Sequence, residues 1–180
     1  MPPLPEFRYH PDPLRTGSVI ESPDPCFVCN QARGYLYDGP IYTESDSEPA
    51  VCPWCIADGS AAETLAATFV DSEACAEGIP GAAIDEITTR TPGYSAWQSE
   101  VWPACCGDAT VFQGPTGIQE LRRTDYTLEG PLMSHIVYNM AISGAAANRL
   151  IDSLDRDKGP TAYIFQCPQC LMHHFHIDRP

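Results

Sequence analysis

Three Cys-x-x-Cys pairs run through this sequence, Cys26/Cys29, Cys52/Cys55 and Cys167/Cys170. With two residues between the thiols, both sulfurs of one turn can bind a single zinc ion at about 2.3 Å, and two such pairs complete a tetrahedral site. The first two pairs therefore predict a zinc site formed by Cys26, Cys29, Cys52 and Cys55. Four thiolates leave no position for water, so the predicted site is structural. A redox role is typical of a single pair at a helix start within a βαβ pattern, which this sequence does not show.

The third pair has no CxxC mate and needs other ligands. The adjacent thiols Cys105 and Cys106 lie between Pro103 and Gly107, and neighbouring cysteines can bind one metal ion only from a loop. We therefore predict a second zinc site formed by Cys105, Cys106, Cys167 and Cys170, with His173 or His174 as the alternative fourth ligand. The ninth cysteine, Cys75, is predicted to be an ordinary buried thiol.

A different chemistry is indicated by His174, His176 and Asp178, which alternate along the chain. On a strand they would share one face. Histidine and carboxylate ligands suit an open metal site, so the alternative functional hypothesis is a metal-dependent hydrolase or nuclease. The competing interpretation is the polar face of an edge strand, and the sequence leaves both open.

Charge is the second strong feature of the sequence. Ten basic residues, of which only Lys158 is a lysine, face 24 acidic ones, and residues 34–89 hold eleven Asp or Glu without one Lys or Arg. Because nucleic-acid binding depends on cations that neutralise phosphates, nucleic acid is an unlikely partner. We expect a negative patch beside the first zinc site that includes Glu44, Asp46 and Glu48. Such a patch either attracts a basic protein partner or merely solubilises the protein.

The cellular location follows from what the sequence lacks. It contains no apolar run near 18 residues, so no membrane-spanning helix is expected. No basic region followed by an apolar stretch opens the chain, so no secretory signal is expected. The CxxC spacing and the odd number of cysteines favour reduced thiolates over disulfides. We therefore expect a cytoplasmic protein.

The helices and strands predicted around the cysteines indicate a single zinc-binding domain of the α+β class. Residues 1–25 carry seven prolines. Because proline fixes φ and has no N–H to donate, these residues are predicted to form an extended arm. Residues 26–69 have the order of a treble-clef module, in which a CxxC knuckle precedes a hairpin over 34–43, and the second CxxC pair precedes a helix over 56–69. The turn of that hairpin is predicted at Asp38-Gly39.

The remaining residues, 70–180, are predicted to form an α/β region that ends in a third knuckle. Apolar residues at roughly helical spacing predict a long helix over 133–155. Strands are predicted over 163–166 and 175–178, on either side of Cys167 and Cys170. A knuckle between two strands is half of a zinc ribbon, so the C-terminal part is expected to be ribbon-like.

Several longer motifs resemble the CbrC family, bacterial proteins of about this size with three CxxC motifs. The motifs are Leu4-Pro5 with Phe7-Arg-Tyr-His-Pro-Asp-Pro13, Cys26-Phe-Val-Cys29, Gly34-Tyr-Leu-Tyr-Asp-Gly-Pro40, Cys52-Pro-Trp-Cys-Ile-Ala-Asp-Gly-Ser-Ala-Ala62, Arg90-Thr-Pro-Gly-Tyr94, Trp97-Gln98 and Cys167-Pro-Gln-Cys170. The family has His-Cys where this chain has Cys105-Cys106, and both pairs can bind zinc. The resemblance implies a link to colicin tolerance but no agreed biochemical activity.

The resemblance and the charge lead to one functional hypothesis. Nuclease domains are typically basic because they must hold phosphates. We therefore expect a non-enzymatic, cytoplasmic zinc protein that binds a basic protein partner such as a toxin nuclease.

Overall fold

The computed structural model describes residues 2–44, 49–124 and 126–180. The fold is of mixed α+β class, as the sequence predicts. The chain forms two compact units: the first comprises Met1–Ser95 and Glu100–Val111, and the second comprises Ala96–Ser99 and Phe112–Pro180. Within the described ranges, no helix has both the length and the apolar character needed to span a bilayer.

The first unit contains short helices and strands. They are α1 (Pro13–Thr16), β1 (Val19–Glu21), β2 (Tyr35–Tyr37), α2 (Pro53–Ala57), α3 (Ser60–Leu65), α4 (Gly81–Arg90), β3 (Ala104–Cys105) and β4 (Asp108–Ala109). Strands β1 and β2 pair antiparallel, and so do β3 and β4.

The predicted hairpin over 34–43 is wrong. Its first half, β2, pairs with β1 in the N-terminal arm, with Leu36 opposite Ile20. Tyr42, in its second half, instead forms an isolated bridge with Thr68. The physical reason is Pro40, which directly follows the predicted turn and has no N–H to donate to a partner strand.

The predicted helix over 56–69 is divided in two. Gly59 lies between α2 and α3 with a φ of 82°, a left-handed conformation that glycine adopts without steric cost. The second helix ends at Ala66, whose φ is 47°.

The N-terminal arm contributes buried side chains to the first unit. Phe7 and Tyr9 are buried, and the Tyr9 hydroxyl donates to Asp108 Oδ1 at 2.9 Å. His10 is fully buried, with its ring nitrogens 2.7 Å from the Pro92 carbonyl oxygen and 2.7 Å from Thr16 Oγ1. Burial lowers the pKa of His10 to about 4.

A buried carboxylate, that of Glu100, organises a polar cluster in the same unit. It accepts hydrogen bonds from the Tyr94 N–H at 3.0 Å and from the Tyr42 hydroxyl at 3.2 Å. Burial is the main cause that raises the pKa of Glu100, to about 7. Gly93 allows the close approach, because a Cβ atom there would lie 2.8 Å from Glu100 Oε1 and would collide with the Phe69 carbonyl oxygen.

The second unit packs helices against a three-stranded sheet. Its elements are β5 (Val111–Thr116, with Val111 assigned to the first unit), α5 (Ile118–Thr124), α6 (Glu129–Tyr138), α7 (Gly144–Asp152), β6 (Thr161–Gln166) and β7 (His173–Asp178), and the strand order is β5-β6-β7. Leu132 and Ile136 from α6, Ala147 and Ile151 from α7, and Phe175 from β7 belong to one buried cluster.

The second unit confirms the predicted strands on either side of the third CxxC pair and corrects the predicted long helix. Strands β6 and β7 pair antiparallel, with Phe165 opposite His174. The helix over 133–155 is instead two helices, α6 and α7. The break contains Ala141, whose φ of 55° is incompatible with a continuous right-handed helix.

Candidate metal centres

The first group of cysteines is assembled from a loop and a helix start. Cys26 Sγ lies 3.9 Å from Cys55 Sγ, Cys29 Sγ lies 3.8 Å from Cys52 Sγ, and Cys52 Sγ lies 3.6 Å from Cys55 Sγ. Cys52 is the residue that precedes α2, and Pro53 occupies the first helical position, where its missing N–H costs nothing. The helix dipole at this end favours negative sulfurs.

The geometry of this group fits a zinc ion. A tetrahedron with metal–sulfur distances of about 2.3 Å has edges of about 3.8 Å, close to the observed separations. A disulfide would require about 2.05 Å between sulfurs, whereas the sulfur separations given above for this group are 3.6 to 3.9 Å. The four side chains of the first group are therefore spaced for a shared metal ion and not for a covalent bond.

The electrostatics of the first group point the same way. Burial raises the pKa of Cys26, but the N–H groups of Cys29, Cys52 and Val28 outweigh it and lower the pKa to about 7. Burial raises the pKa of Cys52 to about 11, and it also raises the pKa of Cys55. The Cys26 thiolate can thus form readily, whereas burial opposes ionisation of Cys52 and Cys55. A dication supplies the missing positive charge, so metal binding here releases protons.

The first and third CxxC pairs share one backbone conformation. The N–H of Asn30 donates to the Cys26 carbonyl at 2.8 Å, and the N–H of Cys26 donates to Gln31 at 3.0 Å. In the third pair, Leu171 donates to Cys167 at 3.1 Å, and Cys167 donates to Met172 at 2.9 Å. Asn30 and Leu171 both have positive φ, 53° and 61°. These turns are the two predicted knuckles.

The second group consists of Cys105, Cys106, Cys167 and Cys170, whose sulfurs all lie within 4.8 Å of one another. Cys105 ends β3, and Cys106 and Gly107 form the two-residue turn to β4, with φ values of 53° and 77°. Positive φ at both turn residues is typical of a tight hairpin. The Sγ atoms of Cys105 and Cys106 are 3.8 Å apart, again the edge length of a zinc–thiolate tetrahedron. Cys105, the predicted fourth ligand, belongs to this group, whereas the alternatives His173 and His174 are not among its members.

The structure gathers these cysteines into two four-thiol groups, each able to hold a metal ion, in agreement with the prediction of two zinc ions. Among the described residues these are the only such groups of Cys, His, Asp and Glu side chains. The ninth cysteine, Cys75, lies half-buried outside both groups, and burial raises its pKa to about 11.

The residues of the alternative hypothesis, His174, His176 and Asp178, do occupy alternate positions on β7. However, Asp178 accepts the Gln98 N–H at 2.6 Å and the Arg179 N–H at 2.7 Å, and His176 Nε2 lies 3.2 Å from the Ser99 carbonyl oxygen. Two of the three side chains are thus engaged in holding residues 96–99 and the chain end. In the described part of the chain they do not form a metal-ligating group.

Sequence reasoning did not single out Glu100 or the role of residues 96–99. The Trp97 indole N–H donates to Thr161 Oγ1 at 2.9 Å, which anchors this segment within the second unit. The sequence places three aromatic residues, Tyr94, Trp97 and Trp102, around this segment, but they give no indication of a buried carboxylate.

Comparisons with known proteins cover nearly the whole chain. The model of a family described as "Uncharacterised protein family (UPF0167)" matches residues 4–179. UPF0167 proteins of Mycobacterium bovis and Mycobacterium tuberculosis are each 40% identical over 97% of this chain and 93% of their own length. A UPF0167 protein of Pseudomonas aeruginosa is 39% identical over 98% of both chains. No solved structure matches the chain significantly.

Proposed function

Because this chain belongs to the UPF0167 family, we propose that it is a non-enzymatic, cytoplasmic zinc-binding protein that captures a basic protein partner. The partner we propose is a bacteriocin-type nuclease, and binding would give the cell tolerance to it. This partner class is suggested by the resemblance to the CbrC family.

The observation that carries the proposal is the uneven distribution of charge. The first unit holds seventeen Asp or Glu and four Arg, whereas the second holds seven acidic and six basic residues. Nearly all the net negative charge of the protein therefore belongs to one unit. A field of one sign accelerates the capture of a partner of opposite charge.

The acidic side chains of the 34–89 segment are available to a partner. Eight of the nine that the structure describes are exposed, namely Asp38, Glu44, Asp58, Glu63, Asp71, Glu73, Glu77 and Asp85. Glu86 is half-buried. The predicted patch residues Asp46 and Glu48 lie outside the described residues.

The donor sets support a binding role over catalysis. Four thiolates fill the tetrahedral shell of zinc and leave no position for a substrate or an activated water. A zinc ion held by either group would organise the surrounding backbone. A metal-dependent hydrolase or nuclease needs an open ligand position on its metal ion, and neither group offers one.

The test uses the purified nuclease domain of a colicin as the probe, with hen lysozyme as a basic comparator. We expect association with the nuclease domain to slow at least about tenfold between 50 and 500 mM salt, because salt screens exposed charges. The double substitution Glu63→Gln with Glu77→Gln should lower the association rate several-fold. The matched control, Asp152→Asn with Asp157→Asn, removes the same charge from the second unit and should have little effect. Association that is independent of salt, or equal binding of lysozyme, would contradict the proposal.

A further inference from the structure

A polar cavity of about 250 Å³ lies in the first unit, and every residue that lines it belongs to that unit. The lining comes from the N-terminal arm, from the end of α2 and from α4, namely Glu6, Phe7, Arg8, Ala57, Glu86 and Arg90. Because Glu86 and Arg90 are four residues apart on α4, they lie on the same face of that helix. The cavity therefore brings together two guanidinium groups and two carboxylates.

Arg8 is held in place at this cavity although more than half of its side chain is exposed. Its Nη2 donates to Asp108 Oδ2 at 2.5 Å, and its guanidinium carbon lies 4.8 Å from the centre of the Tyr9 ring. Tyr9 is fully buried, and its hydroxyl donates to the other oxygen of Asp108 at 2.9 Å. A guanidinium that is fixed in this way loses little freedom when it binds a ligand.

The two guanidinium groups have most of their donors to spare. A guanidinium has five N–H donors. The Arg8 group donates to Asp108, and its Nη1 is 3.9 Å from Glu86 Oε2, too far for a hydrogen bond. The Arg90 group donates from Nη2 to Asp85 Oδ2 at 3.4 Å. The described residues thus accept one hydrogen bond from each guanidinium, and the remaining donors can serve a ligand.

The charges around the cavity favour a ligand that carries both signs. Glu6 and Glu86 offset the two arginines of the lining, and Asp85 and Asp108 add negative charge beside them. A phosphate or a simple carboxylate would meet repulsion from these side chains. An α-amino acid instead presents a carboxylate, which guanidinium groups bind in a bidentate manner, and an ammonium group that suits the Glu86 carboxylate.

The size of the cavity agrees with this class of ligand. A protein cavity of about 150 Å³ holds a benzene molecule, so about 250 Å³ accommodates a small amino acid. We propose that this cavity binds a small zwitterionic amino acid, with its carboxylate at Arg8 and Arg90 and its ammonium group at Glu86. The inference concerns a small-molecule site and does not depend on the partner-binding function proposed above.

The experiment follows the backbone N–H signals of Phe7 and Ala57 by NMR in the full-length, zinc-saturated protein. The probe is L-alanine. Its matched comparators are propionate, which lacks the ammonium group, and ethylammonium, which lacks the carboxylate. We expect L-alanine to bind at least about tenfold more tightly than either comparator, because only L-alanine satisfies both charges of the site.

Three variants assign each pole of the ligand. Arg90→Gln should weaken L-alanine binding at least about fivefold, and Arg8→Lys should weaken it as well, because lysine keeps the charge but loses the planar pair of donors. Glu86→Gln should weaken L-alanine without weakening propionate, a difference that general distortion of the cavity would not produce. The matched control Arg33→Gln removes a positive charge from the same unit outside the cavity and should leave the affinity unchanged.

Three results would overturn the proposal. The first is the absence of L-alanine binding at concentrations up to about 50 mM, which corresponds to a negligible affinity. The second is binding of propionate or inorganic phosphate as tight as that of L-alanine. The third is an unchanged affinity for L-alanine in folded Arg90→Gln and Glu86→Gln.

Discussion

Replacing Glu100 with glutamine should make the stability of the first unit less dependent on pH. Glu100 is only 6% exposed, and burial raises its pKa from 4.5 to about 7. Since one pKa unit corresponds to about 1.4 kcal/mol, ionising Glu100 costs about 3 kcal/mol more in the folded protein than in the unfolded chain. The amide of glutamine has nearly the same shape but carries no charge at any of these pH values.

The sign follows from which state binds more protons. Between pH 4.5 and about 7 the folded protein holds the Glu100 proton more tightly than the unfolded chain does. The protonated Glu100 side chain therefore makes its full contribution to the free energy of unfolding below about pH 4.5, and this contribution is lost as the pH rises through about 7. From pH 5 to pH 8 the wild type should lose about 2–3 kcal/mol relative to Glu100→Gln.

The comparison between variants is essential because His10 acts in the opposite direction. Burial lowers the pKa of His10 to about 4, so the contribution of its neutral form is lost as the pH falls from about 6.5 towards 4. The two effects partly cancel in the wild-type curve. The contributions of His10 and of the cysteine thiolates are the same in both proteins. They therefore cancel in the difference in unfolding free energy between wild type and Glu100→Gln.

The assay is urea unfolding of the zinc-saturated proteins at pH 5, 6, 7 and 8, followed by tryptophan fluorescence. Glu63→Gln, which removes an exposed negative charge from the same unit, controls for net charge. If the difference in unfolding free energy between wild type and Glu100→Gln stays constant from pH 5 to pH 8, the argument from burial is refuted.

Two further predictions concern the first unit. Cys55→Ala should lose about one zinc equivalent and unfold this unit, because zinc binding in such sites is coupled to folding; metal analysis with circular dichroism checks it, and a folded protein that retains two equivalents would contradict it. Gly93→Ala should destabilise the protein by about 3 kcal/mol, because a methyl group would collide with the Phe69 carbonyl and crowd Glu100. Gly81→Ala, where a Cβ meets nothing within 4 Å, is its control in urea unfolding and should change stability by less than about 1 kcal/mol.

The eight cysteines could be grouped from the sequence because zinc chemistry limits the choices. A CxxC turn places two sulfurs on one side of the chain, and tetrahedral zinc requires four ligands, so two orphan thiols in a loop were the natural mates of Cys167 and Cys170. The sequence favours Cys105 as the fourth ligand and leaves His173 or His174 as the alternative, because spacing alone does not specify the conformation of the Cys106-Gly107 turn.

Strand pairing and helix breaks were less predictable. Asp38-Gly39 has the composition of a hairpin turn, but β2 does not pair with the residues after this turn. It pairs with β1, which precedes Cys26 and Cys29 in the sequence. Such pairings are set by the tertiary context of the strands and not by local propensity. The breaks at Gly59 and Ala141 depend on single residues with positive φ, and alanine at position 141 gives no local signal for one.

The course of the chain through the two units limits how a gene for this protein can be divided. The chain enters the second unit at Ala96, leaves it after Ser99 and returns at Phe112. A fragment that starts at Phe112 would lack the Trp97 and Gln98 donors and would leave the buried Asp178 carboxylate without one of its hydrogen bonds. Neither unit is therefore encoded by one continuous stretch of DNA. Truncation, fusion or recombination between codons 96 and 111 should yield unstable products, so the two units are expected to be inherited together.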